Sequence, residues 1–217
     1  MKKTIILDAG HSLTDPGAVS GGTTESKEAI KIRDLLIPLL KQSFDVLAVP
    51  DNLDLVQSIK WVNTKCPNLE DGLALAIHLN AGGGTGAETY FYAGQEKSRV
   101  IAQTIIDTYC GLTSFRSRGA KSDATTSYGR LGWIRDVSAW SCLIELSFID
   151  TPADLTKLQT EHDEIAFAIY SSLCAVYGIK PVTIPVIVTP PVNTQTQIIK
   201  EQIKVKLNEL NALVNQL

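Results

Sequence analysis

The chain has 217 residues, of which 44% are hydrophobic, and this size suits one globular domain with a substantial core plus a short appendage. Its 20 lysines and arginines stand against 23 aspartates and glutamates, which leaves a formal net charge of -3. That balance provides no broad positive field for a polyanion, so it argues against nucleic acid as a partner.

The N-terminal segment "MKKTIILDAGH" has an apolar run no longer than "TIIL". That run is far shorter than the apolar core of a signal peptide. No later run approaches the ~20 apolar residues of a membrane-spanning helix. The sequence therefore predicts a chain that is made in the cytoplasm, without a signal peptide and without a transmembrane segment.

Short β-rich runs alternate with longer helical patterns along the first 178 residues, which predicts an α/β fold. The predicted strands cover residues 4–10, 44–50, 73–80, 87–93 and 141–149. The first, third and fifth of them are almost continuously apolar, as expected for strands that are covered on both faces. We therefore predict three layers, in which helices flank a twisted sheet that is mostly parallel or mixed.

The helical patterns cover residues 25–42, 53–66, 98–111 and 151–177. Pro38 is expected to bend or shorten the first helix. The last begins with "TPAD", in which Thr151 is expected to cap the helix and Pro152 to take its first position. The alternation of strand and helix ends at Gly178, so residues 1–178 are predicted to form the main domain.

The remaining residues differ in composition from the main domain. Residues 179–196 hold four prolines among many valines and threonines, which predicts an extended, semi-rigid linker. Residues 197–217 are predicted to form an amphipathic helix, with a narrow apolar seam at Ile203, Leu207, Leu210, Val214 and Leu217. Residues 199–217 can therefore join copies of the chain into a homo-oligomer. An anchoring element and a helix that docks on the main domain are the alternatives.

Histidines lie at the ends of two predicted strands. "IILDAGH" brings His11 to the end of the first strand, and "ALAIHLN" brings His78 to the end of the third. A lone histidine at a strand end is more often structural than a ligand. Because functional groups gather beyond the carboxyl ends of strands in α/β sheets, the second histidine favours a shared site.

Glu25, at the start of the first predicted helix, is a candidate third ligand. Two imidazoles, one carboxylate and a water form a common hydrolytic zinc site. The three residues are scattered along the chain, so their spacing alone is a weak indication. Glu25 can equally be an acid that interacts with the helix dipole, and Glu28 is a competing ligand one turn later.

Two further polar residues lie in apolar or helical surroundings. Glu145 falls inside the apolar strand "CLIELSFI", and because a buried unpaired carboxylate is costly we expect it to be functional. His162 has acidic neighbours on the last predicted helix, so we expect it on a solvated face. The glycines of "NAGGGTGAETY" lead into a strand without a lysine, which argues against a nucleotide-binding loop. They predict either a close approach of backbone to a ligand or a flexible turn.

These segments together resemble the zinc-dependent N-acetylmuramoyl-L-alanine amidases of the amidase 3 family, found in bacterial wall-remodelling enzymes and phage endolysins. The similarity covers the chain from about Lys3 to Tyr177, in the correct order. It is carried by "LDAGH", "TTESKEAIKI", "AIHLNAGGGTGAETYFY", "RGAK" and "LIELSFIDTPADLTKL". The resemblance implies that Zn²⁺ is the cofactor, that His11, Glu25 and His78 bind it, and that Glu145 is the catalytic carboxylate.

The resemblance also distinguishes the two glutamates of the first helix. The glutamate ligand of the family precedes an apolar position by five residues. Glu25 fits because Ile30 follows it at that spacing, whereas Glu28 is followed by Arg33. Glu25 is therefore the predicted ligand.

The implied substrate is peptidoglycan, cut at the amide between N-acetylmuramic acid and L-alanine. Arg118, Lys121 and Asn80 are the candidate substrate-binding residues, and the two cations can equally be solvated surface charges. Asp8 can orient a ligand histidine or cap the loop that follows its strand.

Two alternatives to this function stay open. They are a noncatalytic peptidoglycan-binding protein on the same fold and a zinc peptidase that cuts within the stem peptide. The missing leader suits a phage or prophage endolysin that reaches the cell wall after holin-type release. All four predicted site residues are present, which favours the enzyme.

Overall fold

The computed structural model describes residues 2–68, 70, 72–127 and 129–182. These residues form one compact unit as far as Pro181. Most of the predicted linker and the whole of the predicted C-terminal helix lie outside the described residues. Within the described residues, none of the helices combines the length and the apolar character needed to cross a membrane.

The described residues contain eight strands and six α-helices. The strands are β1 Thr4–Ala9, β2 Val19–Ser20, β3 Thr23–Thr24, β4 Asp45–Ala48, β5 Gly72–Asn80, β6 Ala87–Phe91, β7 Ser117–Ser122 and β8 Trp140–Phe148. The helices are α1 Glu25–Leu40, α2 Leu55–Lys65, α3 Glu96–Thr113, α4 Gly132–Asp136, α5 Pro152–Thr160 and α6 His162–Val176.

Six of the strands form one mixed sheet in the order β4-β1-β5-β8-β6-β7. The first four of these pair in parallel, β6 runs antiparallel to β8, and β7 runs parallel to β6. The central strands β1, β5 and β8 are buried along most of their length, as their continuous apolar sequences predict.

Helices cover both faces of this sheet. Alternate residues of β1 point to opposite faces, so Ile5 and Leu7 join one apolar cluster whereas Ile6 joins the other. The first cluster packs against α1, α3, α5 and α6, and the second against α2 and α4. The three-layer α/β prediction is confirmed.

The structure corrects the predicted helix over residues 151–177. It is two helices, α5 and α6, which meet at Glu161, where the backbone has φ -123° and ψ 33°. Pro152 does take the first position of α5, but the Thr151 hydroxyl does not cap that helix. It donates instead to the carbonyl of Gly84, in the glycine-rich loop.

A short antiparallel hairpin, β2 with β3, links the end of β1 to α1. Its turn uses Gly21 and Gly22, both with positive φ, a conformation that glycine adopts without a Cβ clash. The Thr24 side chain then accepts a hydrogen bond from the Lys27 amide, which caps α1 and makes Glu25 its first residue. The hairpin and cap together fix where Glu25 lies.

Candidate metal centre

The structure brings together the three predicted metal ligands at the carboxyl ends of β1 and β5. His11, Glu25 and His78 each contribute one potential donor atom, and these three atoms all lie within 4.8 Å of one another. The His11 Nε2 atom is 3.0 Å from Glu25 Oε2, and the His78 Nδ1 atom is 2.9 Å from Glu25 Oε1. Two imidazoles and a carboxylate in this arrangement are a donor set that suits zinc.

Backbone geometry directs the His11 ring into this cluster. The Gly10 amide donates to the carbonyl of Ile77, so β1 stays beside β5 up to that point. His11 itself has φ 69°, a left-handed conformation that residues other than glycine seldom adopt. Its Nδ1 atom is 2.9 Å from Asp15 Oδ2, which leaves Nε2 directed at Glu25.

The residue that orients His11 is thus Asp15, four positions along the chain. Asp8 makes no hydrogen bond to either ligand imidazole within the described part of the chain. Burial raises the pKa of Asp8 to about 7. Asp15 could have been identified from the sequence, because a carboxylate four residues after a histidine, as in "HSLTD", can reach the imidazole ring of that histidine.

Glu25 is held as an anion at the centre of the cluster. Its Oε2 atom accepts from the Ala18 amide and its Oε1 atom from the Leu79 amide, each at 3.1 Å. Burial alone would raise the pKa of Glu25, but hydrogen bonds from the two imidazoles outweigh it and hold the pKa well below its ordinary value. The same contact with Glu25 raises the pKa of His11 to about 9.

Glu145 lies beside the candidate ligands, because it is the direct partner of His78 in the pairing of β5 with β8. Its Oε2 atom is buried and has no hydrogen-bond partner among the described residues. Burial raises the pKa of Glu145 to about 7. A carboxyl group with a pKa near the working pH can both accept and donate a proton, as a general base and acid must.

The residues present fit a zinc ion on two observations. The donor set has two nitrogens and one carboxylate, which leaves a fourth coordination position for water. The unpaired Glu145 oxygen is a buried acceptor next to those donors, and a coordinated water would supply the hydrogen bond it lacks. His11, Glu25 and His78 would hold the ion.

The alternative ligand Glu28 lies in a separate buried cluster. Its carboxylate is 2.8 Å from His162 Nε2 and also accepts from Thr23 and Gln159. The expectation that His162 lies on a solvated face is wrong, since the residue is only 8% exposed. The acidic neighbours of His162 in sequence misled the prediction, because its partner comes from α1 and not from its own helix.

The three candidate substrate-binding residues converge on a residue that the sequence analysis did not single out. Arg118, Lys121 and Asn80 all donate to the carboxylate of Glu88, on β6. Glu88 is 2% exposed and is the direct partner of Glu145 across β6 and β8. The argument that identified Glu145, an acid inside a buried strand, applies equally to Glu88 in "AETYFY".

The glycine-rich loop between β5 and β6 is held in place, so the interpretation as a flexible turn is wrong. Asp150 accepts from the amides of Gly82 and Gly83 at 2.7 and 2.9 Å. Asp154 accepts from the amide of Gly86 at 2.8 Å. A Cβ on Gly84 would lie 2.4 Å from the Phe148 ring, so the absent side chain lets the loop pack directly on that ring.

A methyl group at Gly10 is expected to disturb the candidate metal centre selectively. A Cβ there would lie 2.4 Å from Cε1 and 2.5 Å from Nε2 of His78, so the ring must move. Gly10→Ala should therefore weaken zinc binding by about 10- to 100-fold, the range typical for groups that position a ligand. Calorimetric titration with zinc measures this. Gly111→Ala in α3, where a Cβ meets no atom within 4 Å, is the matched control.

The protein prepared with a chelator is expected to lose stability as the pH rises from about 5 to 9. In the folded state the pKa of Glu145 is raised from 4.5 to about 7 and that of His11 from 6.5 to about 9. The folded protein therefore holds protons that the unfolded chain has released, and folding is penalised as the pH rises through these windows. Each kcal/mol lost should lower the melting temperature by about 2–4 °C.

Zinc should reverse this dependence, because coordination requires the imidazoles to release their protons. The difference in melting temperature between zinc-loaded and chelated protein should thus grow with pH. Thermal unfolding followed by circular dichroism measures both curves. A chelated protein that is equally stable at pH 5 and pH 9 would contradict the assigned pKa shifts.

The sequence of this chain is similar to those of known cell-wall amidases. A sporulation-specific N-acetylmuramoyl-L-alanine amidase of Bacillus subtilis is 30% identical over 159 residues, which cover 72% of this chain and 60% of the relative. An endolysin of Bacillus phage SPP1 is 25% identical over 163 residues, 74% of this chain and 60% of the relative. The chain therefore aligns with about three fifths of either relative's length.

The fold also matches solved structures. The crystal structure of an N-acetylmuramoyl-L-alanine amidase from Clostridium difficile 630 superposes with a TM-score of 0.72 at 24% identity, over 82% of this chain and 98% of that one. The sequence profile of the amidase 3 family, described as N-acetylmuramoyl-L-alanine amidase, matches residues 5–175, which include His11, Glu25, His78 and Glu145. The chain belongs to the amidase 3 family of N-acetylmuramoyl-L-alanine amidases.

Proposed function

We propose that this chain is a zinc-dependent peptidoglycan hydrolase that cleaves the amide between N-acetylmuramic acid and L-alanine. The observation that carries the proposal is the convergence of His11, Glu25 and His78 beside the unpaired carboxyl of Glu145. Membership of the amidase 3 family supports the choice of bond.

The chemistry divides between the cofactor and the protein. His11, Glu25 and His78 would hold a zinc ion, and Asp15 fixes the orientation of His11. An ion bound there would lower the pKa of a coordinated water toward ~7 and polarise the carbonyl group that is attacked. The protein itself supplies proton transfer and alignment.

Glu145 moves the proton. It accepts a proton from the attacking water as the oxygen forms a bond to the lactyl carbonyl carbon. It then delivers that proton to the nitrogen of L-alanine as the C–N bond breaks. The second proton of the water leaves with the lactyl carboxyl group and passes to the amine at neutral pH, so that the products are a lactyl carboxylate and the protonated amine of L-alanine. A pKa of about 7 allows both transfers at neutral pH.

Mass spectrometry of digested sacculi tests this reaction. The amidase releases peptides whose new N-terminus is L-alanine, while the glycan strands keep intact disaccharides. A new amine on any other stem residue would identify a peptidase instead. Binding to sacculi without release of peptide, in the presence of zinc, would identify a noncatalytic binding protein, and a chelator must abolish the release that the amidase produces.

The proposal extends to the way in which the protein reaches its substrate. We propose that it acts on the cell wall after holin-type release, as an endolysin does. Co-expression with a holin should cause lysis, whereas the chain expressed alone should not. Lysis without a holin would contradict this route.

The apolar seam within residues 199–217 is proposed to join protomers, which would raise avidity for an insoluble polymer. The full chain and a chain truncated after Pro181 should then differ in protomer number by sedimentation equilibrium. Truncation there keeps Ile179, whose amide donates to the carbonyl of Cys174. Equal protomer numbers would exclude self-association through this seam.

A further inference from the structure

Glu88, Glu145 and His78 form a row across three adjacent strands. Glu88 is the direct partner of Glu145 between β6 and β8, and Glu145 is the direct partner of His78 between β8 and β5. Directly paired residues on neighbouring strands point to the same face of a sheet. At a strand spacing of ~4.8 Å, the backbone of Glu88 lies about 10 Å from that of His78, on the far side of Glu145.

Glu88 organises four donors with its two oxygen atoms. Oε2 accepts from Arg118 Nε and from Lys121 Nζ. Oε1 accepts from the Tyr90 hydroxyl at 2.7 Å and from Asn80 Nδ2 at 2.9 Å. Because the carboxylate is 2% exposed, it cannot meet a ligand itself and serves to hold these donors.

Arg118 and Lys121 have further hydrogen-bond donors with which they can bind an anion. Two cations share one carboxylate, so Arg118, Lys121 and Glu88 together carry one net positive charge, and the side chains of Arg118 and Lys121 are 29% and 33% exposed. Arg118 uses Nε for Glu88, while its two Nη atoms make no hydrogen bond to another described residue. Its guanidinium lies 4.9 Å from the centre of the Phe148 ring, which restrains its plane.

We propose that Arg118 and Lys121, positioned by Glu88, form a subsite for a carboxylate on the stem residue that follows L-alanine. This inference rests on the proposed amidase function. A peptide advances ~3.3–3.6 Å per residue, so a carboxylate one residue beyond the alanine lies about 7–10 Å from the attacked carbonyl. That reach is comparable to the backbone separation of about 10 Å between Glu88 and His78 along the row.

Such a subsite would let the enzyme distinguish a carboxylate from a carboxamide on the second residue of the stem peptide. An exposed guanidinium and ammonium form charge-assisted hydrogen bonds with a carboxylate, whereas a carboxamide at the same place presents a neutral acceptor and a donor. The enzyme should therefore cut muropeptides with a free carboxylate at that residue faster than otherwise identical muropeptides with a carboxamide.

Paired substrates test the subsite. Two synthetic muramoyl peptides, identical except for carboxylate or carboxamide at the second stem residue, are digested and kcat/KM is measured for each. We expect the carboxylate form to be preferred by about 10- to 100-fold, the effect of a hydrogen bond between charged groups. Arg118→Gln and Lys121→Gln should each reduce this preference, with zinc content unchanged. Lys97→Gln, which removes a cation paired with Glu70 elsewhere, should preserve it.

The outcomes distinguish failure of the proposed subsite from failure of the proposed amidase reaction. Equal cleavage of both substrates overturns the subsite and leaves the amidase intact, whereas cleavage of neither overturns both. Glu88→Gln tests the positioning role, because it makes the cluster more positive while weakening its hold on both cations. A reduced preference in that variant supports positioning, and an unchanged or increased preference shows that net charge alone acts there.

Discussion

Glu145→Gln is expected to lower kcat by at least about 10²- to 10⁴-fold while the protein retains one zinc per chain. The substitution keeps the shape of the side chain but removes the carboxyl group that is proposed to accept and return the proton. Glu145 lies outside the ligand cluster, so its loss should not weaken metal binding. Elemental analysis and release of L-alanine N-termini measure the two quantities on the same preparation.

Glu145→Ala serves as the second variant, because a buried glutamine amide can itself disturb the packing. Both variants should bind zinc with the affinity of the unchanged protein. Loss of zinc from either would move Glu145 from proton transfer to coordination. Full activity in either would leave the reaction without its assigned acid and base.

His78→Ala is expected to abolish both zinc binding and activity. One of the three proposed ligands is lost, and the affinity should fall by more than the 10- to 100-fold typical of groups that only support a ligand. The substitution also leaves Glu25 without one of its hydrogen-bond partners, so this buried carboxylate is less well compensated. Zinc titration and a peptide-release assay measure the two losses, and His11→Ala should behave in the same way.

The third histidine of the chain provides the matched control. His162 pairs with Glu28 in a separate buried cluster, so His162→Gln should reduce stability and keep zinc stoichiometry unchanged. Normal zinc content after substitution of His11 or His78 would remove that residue from the ligand set. Loss of zinc after substitution of His162 would show that the effect is a general loss of structure.

The strand ends were predictable because their sequence signals are local. His11 and His78 each lie where an apolar run gives way to a segment that contains glycine. Parallel neighbouring strands bring such positions to one edge of a sheet. Periodicity alone could not identify Glu25 as the ligand, because Glu28 follows it by only three residues at the start of α1. The spacing implied by family resemblance separated the two glutamates, and the structure places Glu25 beside His11 and His78 but Glu28 beside His162.

The features that sequence analysis missed depend on partners distant in the chain. The Glu28 and His162 pair forms because α1 packs against α6, and neither helix reveals that contact in its own pattern. Strand β7, "SRGAKS", lacks apolar alternation and is held by its pairing with β6. The break between α5 and α6 has no glycine or proline to mark it.

The attachment of the glycine-rich loop to the segment after β8 also bears on folding fidelity. A slip of β8 by one residue would turn Glu145 to the opposite face of the sheet. It would also shift Asp150 and Asp154 by about 3.3 Å relative to the loop amides that donate to them. A chain with that error would lack Glu145 beside His78 and would leave the buried Gly86 amide without its acceptor. The pairing of β8 thus both places Glu145 in the candidate metal centre and anchors the glycine-rich loop, so a misaligned copy is expected to be inactive and less stable.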